Sequence, residues 1–392
     1  MIKSGYDWAS GQAYTDRVVP SFVYPSDAKG AAWAHESPYL PPGWEEGSPV
    51  GANSLKHMAM RKTLLDQRPL TAAHFASVPW ELANYLWDCL GRCGKRTLYM
   101  WKIFATAYPR EFREIAALHS LKTPSKKIPL RDYFQLVKSP SLSWGTVVTI
   151  FTDHADLAGL VDVSKVTNIV ALDIRSPPPP PPSRSKSKPI GAEDGPPIVR
   201  LTDRVVRSWG ELALTGGAFK HLRTLTLRFQ NETTPQIFAY LDHFPSLEVF
   251  IAVGCSLFTV VNAGILAKRY GWEVFEDDGK KTKITKKSAH ELYTDHISDT
   301  TTVPNSERSM VTSLPLLEFS LGTPETRQPR GQIAVWFYRP LRDTNAGMPS
   351  RKRTAEPDPQ KLPTIKKQRS KPIIKKSNKN VDMAGLLTEF QR

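Results

Sequence analysis

The apolar positions change their period twice along this chain. From Ser54 they recur at helical spacing, and SLKHMAMRKTLL places Leu55, Met58, Ala59 and Leu65 roughly on one face. VPWELANYLWDCL follows, with Pro79 where a first-turn proline belongs and Leu82, Leu86 and Leu90 at i+4 spacing. Gly91 and Gly94 bound that helix; TLYMWKIFATAYP predicts a second, ended by Pro109, and EFREIAALHSL a third. These make a helical unit over 51–125. Beyond Pro129 short apolar runs alternate with short helical ones. TVVTIF, TNIVALDIR, HLRTLTLRF, SLEVFIAVGC, WEVFE, SLPLLEFSLG and GQIAVWFYRP are the predicted strands. ADLAGLVDV, TDRVVRSWGELAL, TPQIFAYLDHF and SLFTVVNAGILAKRYG are the predicted helices, with Gly216-Gly217 capping the second of them. Residues 1–50 show neither period. They read as an extended arm that carries Tyr6, Trp8, Tyr14, Phe22, Tyr24, Trp33, Tyr39 and Trp44, more aromatics than a disordered segment usually holds.

Two of the strand segments share a frame. FKHLRTLTLRF supplies Leu222, Leu225 and Leu227, and FPSLEVFIAVGC supplies Leu247, Phe250 and Ala252. The offset from Leu222 to Leu247 falls inside the range of leucine-rich repeats. TNIVALDIR and LPLLEFSLG fit the frame more loosely. Over about 140–340 the chain resembles irregular leucine-rich repeats, in which strand leucines enter a continuous core that several stacked units must share. Leu247, Val249 and Ile251 also alternate as in a plain strand, so an ordinary α/β domain with parallel strands reads equally from that copy. The fold class expected is α/β: an irregular leucine-rich-repeat-like solenoid over 126–345, preceded by the small helical unit. A hexaproline, Pro177–Pro182, opens a Pro-rich and basic insert at 176–198, stiff and solvated.

The helical unit carries a second resemblance. Val78-Pro79-Trp80-Glu81-Leu82, followed by Leu86, Leu90 and Trp101, resembles an F-box. The family docks on a Skp-type adaptor of cullin–RING ubiquitin ligases, and leucine-rich repeats that hold the substrate often follow it. The resemblance makes Val78, Pro79, Leu82, Leu86, Leu90 and Trp101 the adaptor-binding residues; the late Val-Cys-x-x-Trp of typical F-boxes is missing. Ser54-Leu55 with Ala59 resembles the short helix of elongin-binding ligase subunits, with Ala where that helix has Cys. The order of modules is similar to that of fungal substrate receptors of ubiquitin ligases, so a Skp-type or elongin-type adaptor and a protein substrate are the implied partners.

Charge then sorts the remaining possibilities. The formal net charge is +15, but Pro349–Asn380 holds +9, Ser183–Lys188 +3 and Lys280–Lys287 +5, leaving about −2 for everything else. A basic groove on a folded surface is therefore not expected, and nucleic acid enters only as a nonspecific partner of the basic segments. Three cysteines, Cys89, Cys93 and Cys255, make no disulfide framework and fit a reducing compartment. No secretory signal and no membrane-length apolar run are read, so a soluble intracellular protein is expected.

Enzyme signatures are missing. HELYTDH at 290–296 has Thr294 where a zinc protease needs its second His, and His296 falls off that face. Cys89 and Cys93 at i,i+4 have no second pair of ligands nearby. No phosphate loop, dinucleotide loop or nucleophile elbow occurs, so no catalysis, cofactor or metal is expected.

The end of the chain, 346–392, reads as a disordered basic tail. Arg351, Lys352 and Arg353, then Lys366, Lys367 and Arg369, are spaced like a bipartite nuclear import signal, which makes importin a partner and the nucleus the destination. Met383, Leu386, Leu387 and Phe390 then fall on one stripe of a short helix that needs a partner's groove to hold it. The expected function is a nuclear, non-enzymatic interaction protein that presents a substrate to a ubiquitin ligase. The alternative is a nuclear repeat scaffold without that link, associated with chromatin or DNA repair.

Overall fold

Strands buried on both faces need no polar alternation, which is why the Val-, Ile- and Leu-rich runs beyond Pro129 pack side by side in one sheet. The computed structural model describes residues 2–7, 12–17, 40, 53–178, 199–275, 287–300, 314–322 and 334–339. Its first two strands, β1 (Ile2–Asp7) and β2 (Gln12–Arg17), pair antiparallel with Ile2 opposite Arg17. The arm read as aperiodic therefore begins as a hairpin; its aromatics Trp8, Phe22, Tyr24, Trp33, Tyr39 and Trp44 lie outside the described residues. So do most of the insert, the import signal and the terminal stripe.

Five short helices follow: α1 (Leu55–Leu64), α2 (Ala72–Phe75), α3 (Trp80–Arg92), α4 (Leu98–Ala107) and α5 (Pro109–Ile115). Pro79 stands just before α3, and the Thr97 side chain caps α4 by accepting from the Met100 amide. The third predicted helix stops at Ile115, and Leu118–Thr123 is instead β3, a strand of the main sheet. The helical unit expected to end near residue 125 thus runs straight into the sheet.

Among the described residues that sheet has eight strands. Besides β3 they are β4 (Gly145–Phe151), β5 (Ile169–Arg175), β6 (Thr224–Arg228), β7 (Val249–Val253), β8 (Glu273–Phe275), β9 (Leu316–Leu321) and β10 (Ala334–Tyr338). The order across the sheet is β3-β9-β4-β5-β6-β7-β10-β8. From β3 to β7 all neighbours are parallel, while β10 runs antiparallel to both β7 and β8. The protein is a mixed α/β fold.

The centre of the sheet follows chain order. Val148 pairs in register with Leu172, Leu172 with Leu225, and Leu225 with Phe250; Ile150, Ile174, Leu227 and Ala252 form the next row. Both rows are buried in the main core. Residues matched by the frame in the sequence are therefore neighbours across the sheet. Along the chain the steps from Val148 to Leu172 and from Leu225 to Phe250 are nearly equal. The step from Leu172 to Leu225 is much longer, and it is the one that contains the insert.

Helices α6 (Leu130–Val137), α7 (Leu157–Asp162), α8 (Asp203–Gly216), α9 (Phe238–Leu241) and α10 (Val260–Arg269) join that core. Gly217 ends α8 in the left-handed conformation, φ 62°, as the Gly-Gly pair implies. The opposite face of the sheet is covered by α11 (Ala289–Thr300), whose Ala289 and Tyr293 pack on Val147, Val170 and Ala171. Leu292 packs on Val249, Ile251 and Val253. One continuous core runs from Met60 in α1 to Phe337 in β10, so the helices before residue 116 and the sheet are joined by packing.

Candidate functional site

The helical stretch turns out to be organised around aromatic rings. Trp87 meets Phe112 edge-on at 4.8 Å, Phe104 stacks on Phe112 at 5.6 Å, and Trp101 lies 5.9 Å from Trp144. The Trp101 indole donates to the Ala116 carbonyl at 3.3 Å. Tyr108 Oη donates to the carbonyls of Phe75 and Val78, which fixes the turn leading into α3.

This packing divides the six residues named for adaptor contact. Leu86, Leu90 and Trp101 are buried in the core, and Val78 is partly buried against it. Their spacing reads as a docking stripe and is used as an internal one. Pro79 and Leu82 stay on the surface, Leu82 with 47% of its area exposed.

One turn along α3 from Leu82, Tyr85 meets residues from α1. Ser54 caps that helix, its hydroxyl accepting from the His57 amide at 3.2 Å. Lys56 Nζ sits 4.0 Å over the Tyr85 ring, and Tyr85 Oη lies 3.5 Å from His57 Nδ1. This seats the start of α1 beside the middle of α3. The α1 residues facing inward are Met60 and Leu64, whereas Leu55 is 78% exposed and Met58 47% exposed, with Ala59 and Leu65 exposed as well. The stripe read from the sequence points to solvent. Apolar residues therefore stand on the outer side of α1 as well as on its inner side.

A second group of residues lies under α11. Successive β5 and β6 positions on that face are Asp173 and Arg175, then Thr224, Thr226 and Arg228, and all except the Arg175 side chain are buried. Arg175 donates Nε and Nη2 to Asp173 Oδ2 at 2.9 and 2.7 Å. Arg228 Nε reaches the same carboxylate at 3.1 Å, and its Nη2 donates to the Lys287 carbonyl just before α11. Burial, together with the nearby Arg175 charge and against the pull of Asp173, lowers the proton affinity of Arg228. At the other end of α11, His296 Nε2 lies 2.8 Å from Glu248 Oε2, and Arg223 lies 3.6 Å from Oε1 of that residue. Thr224 Oγ1, Thr226 Oγ1 and Tyr293 Oη are enclosed beneath the helix without hydrogen-bond partners among the described residues. Sequence reading missed this seam, since nothing local says that positions as distant in the chain as Arg175 and Arg228 will share a carboxylate.

The HELYTDH segment is α11 itself. Glu291 accepts from the Ser288 amide and Ser288 Oγ from the Glu291 amide, a reciprocal cap, while His296 is the residue paired with Glu248. Two half-buried groups elsewhere shift their proton affinity through loss of water. Lys102, donating to the Leu136 carbonyl at 2.8 Å, falls to about 8, and His119 falls to about 4. Cys255 is pushed up to about 11 by burial and is a packing thiol. No described helix is long and apolar enough to cross a membrane. In comparison with known proteins, no protein-family model matches the chain and no curated protein is significantly similar to it.

Proposed function

We propose that the protein is a non-enzymatic interaction module of the nucleus, acting as the substrate-recognition subunit of a cullin–RING ubiquitin ligase. The observation that carries the reading is the set of exposed apolar residues on α1, whose start meets Tyr85 one turn along α3 from the exposed Leu82. It offers Leu55, Met58, Pro79 and Leu82 to an adaptor of the Skp or elongin type. The rows Val148–Leu172–Leu225–Phe250 and Ile150–Ile174–Leu227–Ala252 support a repeat-like body of leucine-rich character behind that face. Importin capture of the Arg351–Arg353 and Lys366–Arg369 clusters would deliver it to the nucleus, and the stripe Met383, Leu386, Leu387 and Phe390 would take a further partner's groove.

The test is a pulldown with the full-length chain, set beside Leu55→Glu and Leu82→Glu. Recovery of a Skp-type or elongin-type adaptor, lost in both variants, is the expected result. Recovery of neither adaptor by the unaltered chain sinks the ligase link. A nuclear scaffold without a ligase is the second reading, and the burial of Leu86, Leu90 and Trp101 favours it, because it needs no adaptor contact from them.

A further inference from the structure

Outside its three basic segments the protein has a net charge of about −2, yet that charge is unevenly spread. Over residues 54–96 seven Lys and Arg stand against three Asp and Glu. α1 itself holds Lys56, Arg61 and Lys62 and no acidic residue. Two of the three carboxylates are already taken, Asp66 by Arg68 at 2.9 Å and Asp88 by Arg96 at 3.4 Å. Among the described residues Lys56, Lys62 and Arg92 form no ion pair, with Glu81 or with any other carboxylate.

Two of these cations gather on one ring. Lys56 Nζ lies 4.0 Å and the Arg92 guanidinium carbon 6.0 Å from the centre of the Tyr85 ring. Arg92 Nη2 also donates to the Cys89 sulfur at 3.1 Å. A ring face and a thiol are weak counter-charges, so two like charges are held about one phenol without a carboxylate to offset them. Lys62 adds a third. Four residues after Met58 and three before Leu65, it interrupts the exposed stripe of α1 with an ammonium group.

We propose that the outer side of α1, together with Arg92 of α3, docks an acidic peptide segment of a partner protein. Carboxylates of that segment pair with Lys56, Lys62 and Arg92, and its apolar side chains cover Leu55 and Met58. The proposal rests on the reading of α1 as a docking face and adds the chemistry of what docks there. A stripe interrupted by Lys62 suits a partner that brings a carboxylate to it. An anionic lipid surface instead calls for an apolar face that enters the acyl chains without such a break.

The experiment is fluorescence anisotropy with the full-length chain at physiological ionic strength. The probe is a labelled synthetic peptide of Glu, Leu and Ser, and its twin carries Gln for every Glu. The acidic peptide is expected to bind, and Lys62→Glu to weaken it about fivefold, the effect of reversing one surface charge contact. Removing all three charges by Lys56→Gln, Lys62→Gln and Arg92→Gln together is expected to weaken it about tenfold or more. The basic tail is present in every variant, so equal binding by the unaltered chain and the variants overturns the proposal. Should the triple variant not fold, Lys62→Glu decides, because it changes an exposed side chain. No binding by the unaltered chain overturns the proposal, and so does equal binding of the Gln twin. Binding of phosphatidylserine vesicles that Lys62→Glu abolishes, without binding of the peptide, makes the partner a lipid surface and overturns it as well. The adaptor pulldown fails or succeeds separately. Peptide binding as expected with no adaptor recovered keeps the acidic partner and removes the ligase link, whereas an adaptor recovered through Leu55 by a chain that ignores the peptide does the reverse.

Discussion

Single residues separate what holds this fold from what it presents. Trp101 and Leu82 read alike in the sequence, both apolar residues at the spacing of a docking stripe, yet one is enclosed by rings and the other meets water. Trp101→Ala is expected to cost about 3–5 kcal/mol, the range for emptying a large aromatic from a packed core, and Leu82→Ala to stay within about 0.5 kcal/mol. Urea denaturation of both variants checks this, and similar losses would show that Leu82 is not a surface residue. His119 gives a pH signature. Its proton affinity in the fold is held at about 4, below its ordinary 6.5, so the folded state binds fewer protons than the unfolded one between those values. Stability is complete above about pH 6.5 and falls as the pH drops towards 4. A denaturation midpoint that falls less between pH 7 and 4.5 in His119→Gln than in the unaltered chain is the expected result; parallel curves would rule the residue out as the cause.

At the scale of elements, strand positions were legible and their partners were not. Each strand segment from TVVTIF to GQIAVWFYRP becomes a strand because its β-branched and aromatic residues suit a buried pleat, wherever in the sheet it lies. The shared frame of 222–227 and 247–252 even anticipates which residues stand side by side. The insertion of β9 between β3 and β4 leaves no local trace, because pairing across so long a stretch of chain is decided by which edge remains open. The same holds for α11, whose polar-looking sequence gives no hint that Leu292 and Tyr293 are buried. Its seam leaves Thr226 Oγ1 enclosed and without a hydrogen bond among the described residues, so Thr226→Val, of equal shape, is expected to raise stability by about 1 kcal/mol. A loss in thermal or chemical denaturation would mean that the hydroxyl has a partner, such as a water, that the valine removes.

The whole molecule changes the meaning of the helical stretch. Sequence periodicity separates a helical unit from a strand-rich one, because period is a local property, whereas the core joins them and Leu118–Thr123 enters the sheet. A single unfolding transition is therefore expected for the described body, with Trp101→Ala in α4 and Phe250→Ala in β7 lowering the same midpoint. Circular dichroism and tryptophan fluorescence that resolve two transitions, each sensitive to one variant, would falsify it.

The place of β9 also sets a timetable for the protein's making. Both of its neighbours, β3 and β4, are complete by Phe151, but the strand that fits between them begins at Leu316. At ordinary rates of synthesis the ribosome needs roughly ten to thirty seconds to span that gap. Through that interval β3 waits for β9 and the apolar β4 keeps one edge open, both exposed to mispairing with each other or with neighbouring nascent chains. A chain built this way finishes its sheet only once β9 and the later β10 have been made, and its yield in a cell should follow the supply of chaperones that shelter those edges until β9 arrives.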